Sequence, residues 1–209
     1  MSLFTDIKNA STLLIRGEWR EFFLRLKVFL RIIDLKIDNL NVSPTERTHP
    51  YSNSGGVDLK KVLNALDISP TDAIVDFGSG KGGALITFSG YPFKKITGVE
   101  ISPELAAIAE SNLRKLKIAN VDVVVSDAVD FTGLAEYNYF YFFSPFPGNV
   151  MQAVVHNIEK SLSSKPRKVT LIYLNPEFHD IITAKSSFTK IDEYDHHELN
   201  FYVYSNQQS

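Results

Sequence analysis

The 209-residue chain contains no cysteine. This absence excludes disulfide bonds, thiolate zinc sites and cysteine nucleophiles together. The chain also lacks a run of about 18 uncharged apolar residues, so we expect no membrane-spanning helix. Because its first residues do not show the basic and then apolar order that is typical of a signal peptide, the sequence predicts a cytoplasmic protein.

Neither sign of charge dominates, because 22 Lys and Arg residues stand against 24 Asp and Glu residues, for a net charge of −2. A chain of this charge has no overall attraction for phosphate, so we expect no nucleic-acid partner unless a local basic patch provides one. Hydrophobic residues make up 44% of the chain and charged residues 22%, which is the balance of a globular protein. At this length, one domain around one core is expected.

The N-terminal part differs in character from the rest. Apolar residues recur at steps of three and four over about 19–37, which predicts an amphipathic helix. The next stretch, NVSPTERTHPYSNSGG, is rich in Pro, Ser, Asn and Gly and predicts a loop. We therefore expect residues 1–50 to form a helical extension, either a lid on the domain or a homodimer contact, and residues 51–209 to form the domain. The predicted apolar stripe consists of Trp19, Phe22, Phe23, Leu26, Phe29, Leu30, Ile33 and Ile37.

From about residue 58 onward, predicted helices and strands alternate. Five strand-then-helix units indicate a parallel sheet with helices on both faces, and two final strands without a helix between them indicate an antiparallel hairpin. The sequence thus predicts an α/β fold, a Rossmann-like sheet of seven strands with an N-terminal helical extension. The predicted strands span 73–77, 95–100, 121–126, 137–143, 168–174, 188–193 and 199–204. The predicted helices of this part span 58–66, 82–89, 103–116, 149–162 and 177–184.

A glycine-rich segment, DFGSGKGG at 76–83, lies between the first predicted strand and its helix. Glycines at such a turn let the backbone approach a ligand closely, and the N–H groups at the helix start can hold an anion. In open α/β sheets, ligands bind at the carboxyl ends of the strands, where this segment stands. The glycine spacing fits both a dinucleotide fingerprint and a methyltransferase fingerprint, so the loop alone leaves both cofactors open.

Acidic residues at the ends of three successive strands favour one of these cofactors. Asp76, just before the loop, would repel a pyrophosphate but suits the cationic amino group of a methionine moiety. Glu100 ends the second strand, where a carboxylate can accept ribose hydroxyls of either cofactor. Asp127 follows the third strand and could accept the adenine amino group, although it could equally cap the element that follows. Taken together, these residues favour an adenosyl ligand that carries a methionine.

Four segments carry a family resemblance, namely DFGSGKGG, GVEISPE, VVVSDAVDF and YFFSPF. In order and spacing they resemble the class I S-adenosylmethionine-dependent methyltransferases, over roughly residues 51–204. The likeness is greatest to poorly characterised bacterial members, which are distantly similar in motif style to Dot1-type lysine methyltransferases. The resemblance implies S-adenosylmethionine as cofactor and transfer of its methyl group to an acceptor. The predicted cofactor-binding residues are Tyr51, Ser54, Asp76, Gly78, Ser79, Gly80, Gly82, Glu100, Ile101, Asp127, Ala128 and Ser144.

The sequence departs from that bacterial group at two motifs. Asn53 stands where the group tends to carry Pro in a Tyr-x-Pro-Thr segment, and Ser144 stands where it tends to carry Asn before Pro-Phe. A hydroxyl offers fewer donors than an amide, so Ser144 weakens the case for methylation of an amine. The candidates for a catalytic role are Tyr51, Ser144 and Phe146. The candidates for accepting the proton of the nucleophile are His49, Tyr51, Ser144 and Asn175.

Other functions remain open at this point. An NAD(P)-dependent oxidoreductase would use a similar sheet, and a non-catalytic module could keep the fold as a binding platform. His196 and His197 lie among acidic residues, but the segment reads as a solvated polar turn, so no metal site is predicted. The chain has no large insertion that could form a substrate domain. We therefore expect a small molecule or an exposed protein side chain as the acceptor.

Overall fold

The computed structural model describes residues 17–30, 32–35, 55–143, 146–196 and 199–207. The predictions for His49, Tyr51, Ser54 and Ser144 concern positions outside the described residues, as does the boundary at residue 50.

Seven strands form one sheet, as predicted, in the order β3-β2-β1-β4-β5-β7-β6. Neighbours among the first five strands pair in parallel, whereas β7 pairs antiparallel with both β5 and β6. The predicted Rossmann-like architecture is therefore confirmed. The strands are β1 (Ala73–Phe77), β2 (Lys95–Glu100), β3 (Val121–Val125), β4 (Tyr139–Phe143), β5 (Thr170–Leu174), β6 (Thr189–His196) and β7 (Leu199–Ser205).

The described helices pack on both faces of this sheet and bury alternate residues of each strand. In β4, for example, Phe140 and Phe142 join one buried cluster, and Tyr139 and Tyr141 join the cluster on the opposite face. Each fully buried side chain of this size stabilises the fold by about 1.5–3 kcal/mol. The helices are α1 (Trp19–Phe29), α2 (Val57–Ala65), α3 (Gly83–Phe88), α4 (Pro103–Lys115), α5 (Gly148–Ser164) and α6 (His179–Lys185).

The order of the strands creates a switch point between β1 and β4. The chain proceeds outward from β1 through β2 to β3, and then returns across the sheet to β4 and β5. In sheets of this kind, the crevice at the carboxyl ends of the strands beside the switch point is the place where ligands bind. The glycine-rich segment after β1 lies at this position.

The connection from β3 to β4 differs from the expectation that each of the five parallel strands is followed by a helix. Residues 126–138 contain a single 3-10 turn, Leu134–Glu136, and no α-helix, so four rather than five of the parallel strands are followed by an α-helix. Two local features prevent a continuous helix there, because the Asp127 side chain caps a tight turn at Val129 and Gly133 has a φ of +80°. Val124 and Val125, on opposite faces of this edge strand, are exposed.

The N-terminal helix is also shorter than predicted. It ends at Phe29 instead of near residue 37. Part of its predicted apolar stripe faces solvent, since Trp19, Phe23 and Leu30 are 57%, 52% and 56% exposed. Its buried face instead carries Glu21, which accepts hydrogen bonds from Arg25 on the same helix and Lys60 on α2. Charge pairing to α2, rather than the full apolar stripe, orients this helix.

Helix α4 ends in a geometry that its sequence does not favour. Lys117 has a φ of +57°, and hydrogen bonds run from the N–H of Ile118 to Leu113 and from that of Lys117 to Arg114. This is the Schellman pattern, in which glycine is the preferred residue because a Cβ is strained at positive φ.

We predict that Lys117→Gly stabilises the protein by about 0.5–1 kcal/mol in urea unfolding, because the strain is removed from the folded state. Lys115→Gly, inside the same helix, is the control and should destabilise by about 1 kcal/mol. A Lys117→Gly variant less stable than the wild type would contradict this interpretation of the helix end.

Candidate cofactor site

The glycine loop, residues 78–82, crosses from the end of β1 toward β2. The N–H groups of Gly78 and Ser79 both donate to the carbonyl of Val99, at 2.8 and 3.1 Å. Gly78, Gly80 and Gly82 all have positive φ, which is why the spacing of these three residues was a useful sequence signal. At Gly82, an added Cβ would also lie 3.2 Å from the Cβ of Ala109 on α4. The loop therefore needs glycine both for its backbone and for its packing.

Glu100, at the end of β2, holds the loop in this position. One carboxylate oxygen accepts the N–H of Gly80 at 2.8 Å, and the other accepts the N–H of Ser102 at 2.9 Å. Burial raises the pKa of the Glu100 carboxyl, and these backbone N–H groups oppose that rise. Because each carboxylate oxygen has a second lone pair, the group can accept further hydrogen bonds from a ligand hydroxyl.

Asp76 is the more unusual carboxylate of the site. It is buried in the penultimate position of β1, and no Lys, Arg or His of the described residues lies within 4.0 Å of it. Burial, with a further contribution from the charge of Glu100, raises the pKa of Asp76 well above its usual range. A buried carboxylate of this kind is costly to ionise unless a cation pairs with it. The site is thus prepared for a cationic ligand group.

The strand ends beside Glu100 supply a more open surface. Ile101 directly follows Glu100 and is 40% exposed. Asp127 is partly buried, and its carboxylate accepts the N–H of Val129 at 2.9 Å. Asp127 therefore does act as a cap, although of a turn and not of a helix. Ala128 packs against the buried cluster beneath it.

Two predicted site residues turn their side chains into the protein. The Ser79 hydroxyl is buried and has no hydrogen-bond partner among the described residues, and it lies 2.7 Å from where a Cβ on Gly98 would be. Ser79 can thus take part in the site mainly through its backbone. Phe146 is buried and packs edge-on against Phe142, with ring centroids 6.4 Å apart, so its ring has a core position.

Asn175 lies just beyond β5, at the same edge of the sheet. It adopts a φ of +54°, a conformation that Asn tolerates better than most residues. Its side-chain amide donates to Glu177 at 3.0 Å, and its backbone N–H donates to Asn200 at 2.9 Å. The residue therefore fixes the turn after β5, whatever further role it has.

Sequence reasoning missed the part that Gly55 and Gly56 play beside this loop. A Cβ on Gly55 would lie 2.3 Å from the carbonyl oxygen of Gly83, so only glycine fits against the first turn of α3. The N–H of Gly56 donates to the Thr87 hydroxyl at 3.1 Å. The pair thus leads the chain past the glycine loop, directly after the predicted residues Tyr51 and Ser54. Two consecutive glycines just before a predicted helix were the available signal.

Residues 17–30, 32–35, 55–143, 146–196 and 199–207 contain neither a metal-binding cluster nor a membrane-spanning helix. Within those ranges, no group of three or more His, Cys, Asp or Glu side chains is arranged to bind a metal. No helix there has the length and apolar character that crossing a membrane requires.

Known proteins match the same part of the chain. Residues 74–165 match a family described as "Methyltransferase domain". The chain is 26% identical over 135 residues to ribosomal RNA small subunit methyltransferase A of Malacoplasma penetrans, covering 65% of this chain and 47% of the relative. It is 30% identical over 143 residues to protein-L-isoaspartate O-methyltransferase 2 of Nitrosococcus oceani, covering 66% of this chain and 59% of the relative. The match thus covers about half the length of the first relative and somewhat more than half that of the second.

Solved structures share the architecture. An RNA methyltransferase from Salinibacter ruber, in complex with S-adenosyl-L-homocysteine, aligns with a TM-score of 0.54 and 16% identity, covering 72% of this chain and 91% of that chain. At this level of identity the likeness concerns the fold alone. The strand order β3-β2-β1-β4-β5-β7-β6 is the order of the class I methyltransferase fold. The chain therefore has the seven-stranded, Rossmann-like fold of the class I methyltransferases, with a methyltransferase-domain match over residues 74–165.

Proposed function

We propose that this protein is an S-adenosylmethionine-dependent methyltransferase. The observation that carries the proposal is Asp76, a buried carboxylate at the end of β1 with no cationic side chain of the described residues beside it. The amino group of a methionine moiety supplies that cation. A dinucleotide pyrophosphate brings no cation to Asp76 and would be repelled by that carboxylate, whereas Glu100 suits the ribose of either cofactor. The family match over residues 74–165 supports the same cofactor.

In this proposal, the end of each strand binds a different part of the cofactor. Asp76 pairs with the amino group, and Glu100 accepts the ribose hydroxyls while it keeps its hydrogen bond from Gly80. The exposed side chain of Ile101 covers the adenine ring, and Asp127 with Ala128 recognises its edge. The remaining predicted contacts, those of Tyr51, Ser54 and Ser144, belong to this proposal as well.

The residues of the chain contribute orientation rather than covalent chemistry. When bound, S-adenosylmethionine would supply an electrophilic methyl group: the acceptor would bond to the methyl carbon as the carbon–sulfur bond breaks, and S-adenosylhomocysteine would leave. The glycine loop and the three carboxylates would hold the cofactor at the carboxyl ends of the strands, the edge of the sheet that β4 and β5 also reach. Fixing both reactants in this way lowers the entropic barrier of the transfer. Tyr51, His49, Ser144 and Asn175 are the groups proposed to receive the acceptor's proton.

For the acceptor, we propose a small molecule or a protein side chain, on the basis of the near-neutral net charge. By their names, one relative methylates ribosomal RNA and the other methylates protein isoaspartate. The relatives therefore do not favour a protein acceptor over an RNA acceptor. Likeness to Dot1-type enzymes rests on motif style and stays a hypothesis. Radiolabelled methyl transfer to a panel containing small amines and carboxylates, an isoaspartyl peptide, a lysine-rich peptide and ribosomal RNA identifies the class. Methyl transfer to RNA alone would contradict the proposed acceptor.

We predict that Asp76→Asn weakens binding of S-adenosylhomocysteine by about 10- to 100-fold in calorimetry. This range corresponds to a charged hydrogen bond worth about 1.5–3 kcal/mol. The fold should not suffer, because the amide removes a buried charge. Since the folded-state pKa of Asp76 is raised, ionisation costs the wild type stability as pH rises from near 4 toward that pKa, so the variant's advantage in Tm should grow over this range.

Asp122→Asn, an exposed change on the edge strand β3, is the matched control and should leave both affinity and Tm unchanged. Unaltered affinity in Asp76→Asn would show that this carboxylate does not contact the ligand. Tight binding of NADH by the wild type, without binding of S-adenosylhomocysteine, would reject the proposed function.

We also predict that S-adenosylhomocysteine binding releases a proton when the pH is below the pKa of Asp76 in the free protein. Burial keeps that carboxyl protonated, whereas the bound ammonium favours the carboxylate. Affinity should therefore rise with pH toward the free-protein pKa and level off above it, until the pH is high enough for the ligand's own amino group to lose its proton.

Calorimetry in two buffers of different ionisation enthalpy measures the proton count directly. Asp76→Asn should abolish the release, and so should the ligand 5′-methylthioadenosine, which lacks the amino group. Proton uptake by the wild type, or equal release in Asp76→Asn, would assign the linkage to another group.

A further inference from the structure

Lys81 occupies the middle of the glycine loop, yet its side chain is fully buried, at 0% exposure. Its ammonium lies 2.9 and 3.0 Å from the two carboxylate oxygens of Asp34, which belongs to the N-terminal segment 32–35. Removing an ammonium from water without a counter-charge is strongly unfavourable. The position of Lys81, and with it that of the loop, therefore depends on Asp34.

Asn112, on α4, joins the same two residues through their backbones. Its side-chain oxygen accepts the N–H of Asp34 at 2.9 Å, and its amide nitrogen donates to the carbonyl of Asp34 at 2.7 Å and to that of Lys81 at 3.0 Å. The amide is buried, and both of its N–H groups and its oxygen are engaged. We name Asp34, Lys81 and Asn112 the loop clasp.

The loop clasp acts on the same short segment that Glu100 holds from the opposite side. Gly80, next to Lys81, donates its N–H to Glu100 at 2.8 Å, and Gly82 packs closely against Ala109, one turn before Asn112. A shift of residue 81 would move the N–H of Gly80 and change the direction of the Glu100 carboxylate. A change of geometry at residue 34 would therefore reach the hydrogen bond between Gly80 and Glu100.

We propose that the loop clasp is a positioning device for cofactor binding. Through it, Asp34, which lies 47 positions before Lys81 in the sequence, sets the affinity for S-adenosylmethionine without contacting it. The N-terminal segment is then part of the cofactor site's framework and not only a cover for the acceptor. This inference rests on the proposed function.

Asp34→Asn and Asn112→Ala test the proposal in the full chain. The first change keeps the side-chain shape and removes the carboxylate charge of Asp34 that pairs with Lys81, and the second removes all three hydrogen bonds of the amide. The matched control is Asn138→Ala. Asn138 is an equivalent amide clamp at the amino-terminal edge of the sheet, where it accepts the N–H of Ala73 at 2.8 Å and donates to Asp72 at 2.6 Å.

Three measurements are made on each variant: affinity for S-adenosylhomocysteine, Tm, and hydrogen exchange of residues 78–84 without ligand. We expect Asp34→Asn and Asn112→Ala to lose affinity by tenfold or more and to exchange faster at 78–84. Asn138→Ala should lower Tm, yet keep its affinity within twofold and its exchange at 78–84 unchanged. Asp34→Glu should restore most of the affinity that Asp34→Asn loses.

Two results would overturn the inference. One is affinity within twofold of wild type in both clasp variants; the other is an equal loss in Asn138→Ala, which would indicate general destabilisation. If the wild type binds no S-adenosylhomocysteine, the proposed function fails. Exchange at 78–84 then decides separately, since acceleration confined to the clasp variants supports the clasp and its absence rejects it.

Discussion

The hydrogen bond from the Gly80 N–H to the buried Glu100 carboxylate is the contact on which the proposed site depends. It joins the loop after β1 to the tip of β2, so the two neighbouring strands present one continuous surface. Burial, and after it the charge of Glu100, raises the pKa of the Asp76 carboxyl. A ligand that brings its own cation would relieve this electrostatic cost, and on this ground we propose an amino-acid-bearing cofactor for the site.

Other contacts of the described residues hold the glycine loop in the position that this hydrogen bond requires. The carbonyl of Val99 accepts two N–H groups of the loop, and α4 packs against Gly82 through the small side chain of Ala109. The loop clasp fixes Lys81 through its contacts with Asp34 and Asn112. The glycines of the loop allow many backbone conformations, but these contacts hold the loop in one of them. Such preorganisation favours ligand binding.

Much of the fold could be predicted from sequence, because buried parallel strands leave strong local patterns. The segment AIVDF, for example, is buried at all five positions and was predicted with its correct bounds, and the helix predicted over 103–116 is α4, Pro103–Lys115. The failures came where local pattern is not decisive. The turn after β3 is set by the side chain of Asp127, and the exposed stripe on α1 is set by the pairing of Glu21 with α2. The partnership of Lys81 and Asp34 joins residues far apart in the chain, so no local periodicity could reveal it.

The central claim is that Asp76 and Glu100 receive the amino group and the ribose of one adenosyl ligand. The most direct test is a crystal structure of the protein with S-adenosylhomocysteine bound. The account predicts the ligand's amino nitrogen within about 2.7–3.2 Å of the Asp76 carboxylate, with a ribose hydroxyl at similar distance from Glu100. A ligand bound elsewhere, or one whose amino group lies away from Asp76, would contradict it.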